Sequence, residues 1–455
     1  MIEIAPIETP SLGDRSYLAT DGSVAIVIDP QRDIDRVLAV ADARGVRITH
    51  VFETHIHNDY VTGGLALATA AGAGYHVNAA DEVLFDRIGI ADGDQIEAGQ
   101  MGVRVIATPG HTFNHLSFAV EVAGRMVAVF TGGSLLNGST GRTDLLGADH
   151  TTELARAQHG SVRRLAAELP GDAMVCPTHG FGSFCSATPT SGAASTIGME
   201  MTVNPALTLG EADYVRSTLA ALDVYPAYYA HMAPANSAGP LAPDLTPPRY
   251  ADSAELRRRI ASGEWVVDLR SRVAFAAGHV RGTLSFEHGD HMTTYLGWLI
   301  PWGTPLTLLG QTPADVAAAQ RDLVRIGIDR VQSAAAGGPG GWSGGDSLGS
   351  FEVTDFTGYA RARGQREFIL LDVRRQSEWD AARIPGSVHI PLHELAGRLT
   401  EIAAGQVWVH CQSGYRASVA AGVLDAAGRE VVLIDDDFGN AERAGLAESG
   451  TVPAR

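Results

Sequence analysis

The stretch "ETHIHNDYVTGG", residues 53–64, packs His55, His57 and Asp59 into five residues. It overlaps the end of "RITHVFET" (47–54), whose β-branched and aromatic content reads as a strand. The three side chains therefore stand at the carboxyl end of a strand, where sites in open α/β folds form. Alternate positions of an extended segment point the same way, so both imidazoles can face one point. Two further histidines have matching settings: His111 begins the turn after "ATPG", and His179 closes the strand "AMVCPT". A lone histidine in such a place reads best as a capping or hydrogen-bonding group. Five candidate ligands, all at strand-to-loop junctions, read as a metal site, and imidazole with carboxylate suits zinc, iron or manganese.

Outward from this motif, "SVAIVID" (23–29) reads as a strand and "DIDRVLAVADARG" as an amphipathic helix. "VRVIATPG" (103–110), "HLSFAVEV" (115–122), "RMVAVFTGG" (125–133) and "DAMVCPTHG" (172–180) continue the series of strands ending in turns. "PANSAGPLAPDLTPP" (234–248) reads as a boundary. Beyond it, "WVVDLRSRVAFAAGHVRGTLSF" (265–286) aligns with "ILLDVRRQSEWDAARIPGSVHI" (369–390): strand, Asp-x-Arg, helix, small-residue turn, strand. This is a domain-scale internal repeat. The Gly/Ser-rich 333–350 between the copies reads as a flexible loop or linker. Three domains follow, 1–245, 250–350 and 352–455. A chain of 455 residues is long enough for several cores.

The formal net charge of -18 makes the chain a poor nucleic-acid binder. All 34 basic residues are arginine, which excludes Schiff-base lysines and Ser–Lys dyads. Three cysteines, Cys176, Cys185 and Cys411, are too few for a disulfide framework and suit a reducing cytoplasm. No basic-then-apolar leader opens the sequence and no apolar run reaches membrane-spanning length, so a cytoplasmic protein without membrane contact is expected.

In this order, "THIHND", "PGHT", "FTGG" and "PTHG" resemble the metallo-β-lactamase superfamily, whose fold is an αββα sandwich with the metal site at one edge. Within it, "GRTDL" (141–145) and "NPAL" (204–207) look like the persulfide dioxygenases and their relatives the glyoxalase II hydrolases. The resemblance implies a mononuclear iron site of two histidines, His55 and His111, and one carboxylate, with zinc as the alternative metal. It also implies that Arg142 helps bind the carboxylate of a thiol substrate. Two positions depart from the family. Its carboxylate ligand falls at Gly133, and Tyr60 stands where a further histidine is usual. A two-metal hydrolase needs that carboxylate as a bridge. Three outcomes stay open: a three-histidine site of His55, His57 and His111; replacement of the carboxylate by Asp59 or His179; or a degenerate site on a retained scaffold. Cys176, in a core strand, reads as a small apolar residue, and Cys185 as a residue of the site's mouth.

The second chemical signal is "GQVWVHCQSGYRASVAAGVLDAAG" (405–428): a strand, a tight loop and a helix. Cys411 opens the loop, where amides and a helix N-terminus favour a thiolate. Gln412, Ser413, Gly414 and Tyr415 form the loop, and Arg416 adds charge for an anionic substrate. Together with "LLDVR…EW…IPGSVHIP", this looks like the rhodanese family. Four residues between Cys and Arg suit a sulfur-carrying thiol better than the phosphate of the five-residue phosphatase loop. The middle copy has no cysteine, so it resembles an inactive rhodanese.

The expected architecture is thus α/β multidomain: a metallo-β-lactamase sandwich followed by two α/β rhodanese-like domains. The resemblance implies persulfide dioxygenase chemistry coupled to a sulfurtransferase that carries sulfur on Cys411. Its partners would be a low-molecular-weight thiol persulfide and sulfite or thiosulfate, and a homo-oligomer fits the superfamily. The alternatives are a thioester hydrolase fused to a sulfurtransferase, or a metal-free N-terminal scaffold with rhodanese activity alone.

Overall fold

The computed structural model describes residues 2–188, 190, 192 and 194–450. The chain divides into two compact units: Met1–Asp244 with Leu323–Gly327, and Leu245–Asp322 with Ile328–Arg455.

The first unit holds two six-stranded sheets, each with its strands in chain order. One runs from Glu3–Thr9 to Ile88–Ile90, the other from Gln95–Ala98 to Ser195–Thr196. Strand periodicity builds the layers. Tyr17, Ile26 and Phe52 of the first sheet meet Met101, Phe118 and Phe130 of the second in a shared core. The alternate residues Leu18 and Val27 face the helices Asp35–Arg44 and Gly64–Ala71. Ile106, Ala119 and Val129 face the helix Thr151–Glu168. This is the expected αββα sandwich. In both sheets a parallel pair, Val24–Ile28 with Arg47–Phe52 and Arg125–Gly132 with Met174–Pro177, ends toward the histidine motifs.

The second unit carries two five-stranded parallel sheets with one strand order. The first runs Arg249–Tyr250, Val331–Ala336, Leu306–Gly310, Trp265–Asp268, Leu284–Ser285. The second runs Glu352–Thr354, Val431–Ile434, Val407–His410, Ile369–Asp372, Val388–His389. The repeat seen in the sequence is therefore a repeat of topology.

Two local readings differ from the structure. Residues 333–350 contain the end of the strand Val331–Ala336 and a short helix, Pro339–Ser343, whose Trp342 is buried. Alanines and a serine hide that strand from a hydrophobicity pattern, and pairing with Leu306–Gly310 supplies its order. The boundary read from 234 starts later, because the helix Tyr229–Ala238 runs through Pro234. Asn236 anchors it, donating to the carbonyls of His57 and Tyr60.

Candidate metal centre and cysteine loop

His55, His57 and Asp59 follow the strand Arg47–Phe52, His111 follows Met101–Ala107, and His179 follows Met174–Pro177. All five side chains are buried. Each of the four imidazoles is fixed through one ring nitrogen. His55 Nδ1 lies 2.9 Å from Thr54 Oγ1, and His111 Nδ1 lies 2.7 Å from the Arg142 carbonyl. His179 Nδ1 lies 2.9 Å from Asp14 Oδ1 and 3.1 Å from Asp59 Oδ2. His57 Nε2 faces Asp29 Oδ1 at 3.2 Å, Glu53 Oε2 at 3.3 Å and the Tyr60 hydroxyl at 3.0 Å.

The opposite nitrogen of each ring is buried and has no partner: Nε2 of His55, His111 and His179, and Nδ1 of His57. An orphaned buried nitrogen costs on the order of 1–3 kcal/mol. Four together, each ring held by its other nitrogen, is the arrangement that metal-ligating histidines show. Ligand atoms of His55, His111 and His179 lie within 4.8 Å of one another, and so do those of His57, Asp59 and His179. The residues present therefore fit one metal ion. His115 makes the contrast. It stacks on His55 with ring centroids 4.9 Å apart, but its Nδ1 meets Thr108 Oγ1 and its Nε2 accepts the Gly133 N–H. Both nitrogens are spent, so it is a structural histidine.

Charge around the rings is uneven. Burial, then the neighbouring His179, pushes the His111 imidazole down to about 3. Burial would also depress His57, but Asp29 and Glu53 override it and lift His57 to about 9. Asp59 and Asp14 likewise raise His179 against burial. Carboxylates behind a ring make it a more basic ligand. Asp14 and Asp29 escaped sequence reading because they lie far from the rings in the chain. Asp29 follows the strand Val24–Ile28 with φ 49°, a feature that only the structure shows.

Gly133 has a physical reason to lack a side chain. A Cβ there would collide with the His111 ring, so the imidazole occupies the space that a carboxylate stem would need. Tyr60 is fully buried, and burial raises its phenol well above the ordinary value, so it stays neutral and serves as a partner for His57. Arg142, which the resemblance implies as a substrate-binding residue, is held by several groups of its own chain. Its Nε and Nη2 fork onto Asp144 at 2.7 Å each, Nη1 donates to the Phe184 carbonyl, and Nη2 also donates to the Asp223 carbonyl. Its side chain is 3 % exposed, and these bonds tie the loop to Phe184 and Asp223. Cys176 belongs to the inter-sheet core. Cys185 is buried with Sγ 3.8 Å from the Tyr229 hydroxyl.

In the second unit, Cys411 follows the strand Val407–His410 and precedes the helix Tyr415–Ala426, whose first amides lack helical partners. Gly414 turns the loop at φ 88°, and a Cβ there would strike Asp435. Cys411 is 1 % exposed. Arg416 starts the helix and gives both Nη atoms to Glu378 at 2.6 Å. Burial would raise the Glu378 carboxyl, but Arg416 holds it at about 2. The Tyr415 hydroxyl donates to the Glu287 carbonyl. Gln412 and Ser413 complete the loop, and the Gln412 carbonyl accepts from Phe438 N–H.

Residues 14–179 match the metallo-beta-lactamase superfamily, and residues 357–442 match the rhodanese-like domain. The persulfide dioxygenase ETHE1 of Homo sapiens is 30% identical over 207 residues, which are 45% of this chain and 73% of that protein. The chain belongs to the metallo-β-lactamase superfamily. It carries in addition a C-terminal rhodanese-like domain. A hydroxyacylglutathione hydrolase of Acidiphilium cryptum is 33% identical over 171 residues, covering 37% of this chain and 65% of the hydrolase. A metallo-beta-lactamase structure from Staphylococcus aureus superposes with TM-score 0.66 at 26% identity, over 74% of this chain and 99% of that one. Among the described residues, no helix is long and apolar enough to cross a membrane.

Proposed function

We propose that the chain is a cytoplasmic enzyme of sulfur metabolism, in which a persulfide dioxygenase-type metal domain (1–245) is joined to a cysteine-free repeat (250–350) and a sulfurtransferase domain (352–455). The observation that carries the first part is the set of four buried imidazole nitrogens without partners. One iron ion would be held by His55, His111 and His179, with His57 and Asp59 beside it. When bound, iron supplies oxygen and one-electron chemistry that no side chain offers. The chain's own residues hold the ligand rings rigid and keep the site dry. A second metal is disfavoured because position 133 has no bridging carboxylate and Tyr60 is a neutral phenol.

In the C-terminal repeat, the Cys411 thiolate attacks the sulfane sulfur of thiosulfate or a thiol persulfide. The donor's sulfur–sulfur bond breaks, sulfite or thiolate leaves with its electron pair, and Cys411 becomes a persulfide. Attack by an acceptor thiolate or sulfite on the outer sulfur restores it.

The test is metal content per chain of anaerobically purified protein, then oxygen uptake on adding glutathione persulfide. Close to one iron per chain is expected, with metal and uptake both lost in His111→Ala. A metal-free wild type with full sulfur transfer would overturn the metal half. The likeness to hydroxyacylglutathione hydrolases supports a second reading, thioester hydrolysis. Cleavage of S-lactoylglutathione without oxygen uptake would favour that reading.

A further inference from the structure

The loop that carries Cys411 rests on a carboxylate. After the strand Val431–Ile434 come Asp435, Asp436 and Asp437, and this segment touches the loop at two places. The Phe438 N–H donates to the Gln412 carbonyl at 2.8 Å. Asp435 Oδ1 lies against Gly414, so close that a Cβ at that position would collide with it. The other two carboxylates are engaged elsewhere. Asp436 accepts from the Phe356 N–H at 3.1 Å and from Asn440, and Asp437 accepts from the Gly439 N–H at 2.8 Å. A thiolate and an anionic sulfur donor must both gather at this loop. A bare carboxylate against it would disfavour both.

The cation that balances Asp435 comes from the cysteine-free repeat. Arg272 opens the helix Arg272–Ala277, and its Nε donates to Asp435 Oδ1 at 2.7 Å. Its Nη1 donates to Glu287 Oε2 at 3.0 Å, so its own repeat also holds the guanidinium. The pair is largely shielded from water, with 29 % of the Arg272 side chain and 16 % of the Asp435 side chain exposed. Solvent therefore screens it less than it screens a surface pair. Burial would lower the pKa of Arg272, but Asp435 and then Glu287 raise it, so the arginine keeps its charge. Counting from Asp268 and Asp372, the position of Arg272 is Gln376 in the other repeat. The arginine is thus no part of the frame that the two repeats share.

We propose that Arg272 of the cysteine-free repeat is a positioning residue of the Cys411 site: it holds and neutralises Asp435, and so keeps the loop favourable for a thiolate and an anionic sulfur donor. This rests on Cys411 being the sulfur carrier. An ion pair that only fastened the repeats would make both partners equally necessary. A compensating charge makes only the arginine necessary, and only while Asp435 is present.

The experiment is steady-state sulfur transfer from thiosulfate to cyanide by the full chain, with thermal unfolding alongside. The variants are Arg272→Gln, Arg272→Lys, Asp435→Asn, the double variant Arg272→Gln/Asp435→Asn, and Cys411→Ser. Arg272→Gln should lower kcat/KM about tenfold. Arg272→Lys, which keeps the charge, Asp435→Asn and the double variant should each stay within about threefold of wild type. A loss in the double variant as large as that in Arg272→Gln would overturn the proposal, and so would full activity in Arg272→Gln. If Arg272→Gln does not fold, Arg272→Lys and Asp435→Asn carry the test, and a loss of about tenfold in either overturns it. Sulfur transfer retained by Cys411→Ser would overturn the reading of Cys411 instead. A dead Cys411→Ser beside an unchanged Arg272→Gln sinks only the role of Arg272.

Discussion

The two repeats of the second unit share a frame and differ in one loop. Each central strand ends in Asp-x-Arg, Asp268 and Arg270 in one and Asp372 and Arg374 in the other. In each the arginine Nη2 binds the aspartate at 2.6 Å and a carbonyl eight residues on, Gly278 at 2.8 Å or Ala382 at 2.7 Å. In each an aromatic ring caps the guanidinium, Trp342 in one and Phe438 in the other. Sheet register then aligns the loops. Asp268 pairs with Leu309 and Asp372 with His410, so Gly310 stands where Cys411 stands, and Asp315 where Arg416 stands. Asp315 Oδ2 accepts from Thr312 N–H at 2.9 Å, and Thr312 Oγ1 accepts from Asp315 N–H at 3.2 Å. That reciprocal cap uses up the helix end that an anion would need, and it reverses the charge. The comparison teaches that the two loops differ in more than a thiol. The frame they share is buried in both repeats: Asp268, Arg270, Asp372 and Arg374 all lie inside.

The largest effect expected from this comparison is chemical. Cys411→Ser should lower thiosulfate:cyanide transfer by a factor on the order of 1,000 or more, while oxygen uptake on glutathione persulfide stays. Transfer that persisted would mean the loop is not the carrier. Next come the shared forks. Asp268→Asn and Asp372→Asn each leave a buried arginine without its carboxylate, at a cost of about 3 kcal/mol in denaturant unfolding. Similar losses would confirm a common frame. A much smaller loss at Asp268 would show that the cysteine-free repeat had shifted its support elsewhere. The smallest effect is expected from Gly310→Cys. A Cβ there meets the Thr312 carbonyl and Val316 at 3.1 Å, close enough to require only a small shift. No persulfide should form on that cysteine by mass spectrometry after thiosulfate treatment, because Asp315 faces it. A persulfide there would show that the thiol alone had been missing.

The αββα sandwich, the repeat and the placing of the histidines and of Cys411 at strand ends were legible in the sequence. Alternating strands, candidate ligands at strand ends and a cysteine between a strand and a helix are local patterns. The roles of individual groups were not. His115 sits in the same turn as His111, yet only the contacts with Thr108 and the Gly133 amide show that its nitrogens are spent. Arg142 lies in a motif that resembles a substrate clamp, but carbonyls at Phe184 and Asp223 close around it. The strand in 333–350 was hidden because alanine and serine carry little hydrophobic signal.

By itself, then, the sequence determined which groups stand at the ends of which strands, since period and turn chemistry act over a few residues. Tertiary structure decided which nitrogen of each ring is left open and why position 133 is glycine. Those depend on groups brought together from distant parts of the chain, such as Asp14 behind His179, 165 residues away. A pattern along the chain records neither the hydrogen bond that orients a ring nor the side chain that fills a neighbour's space.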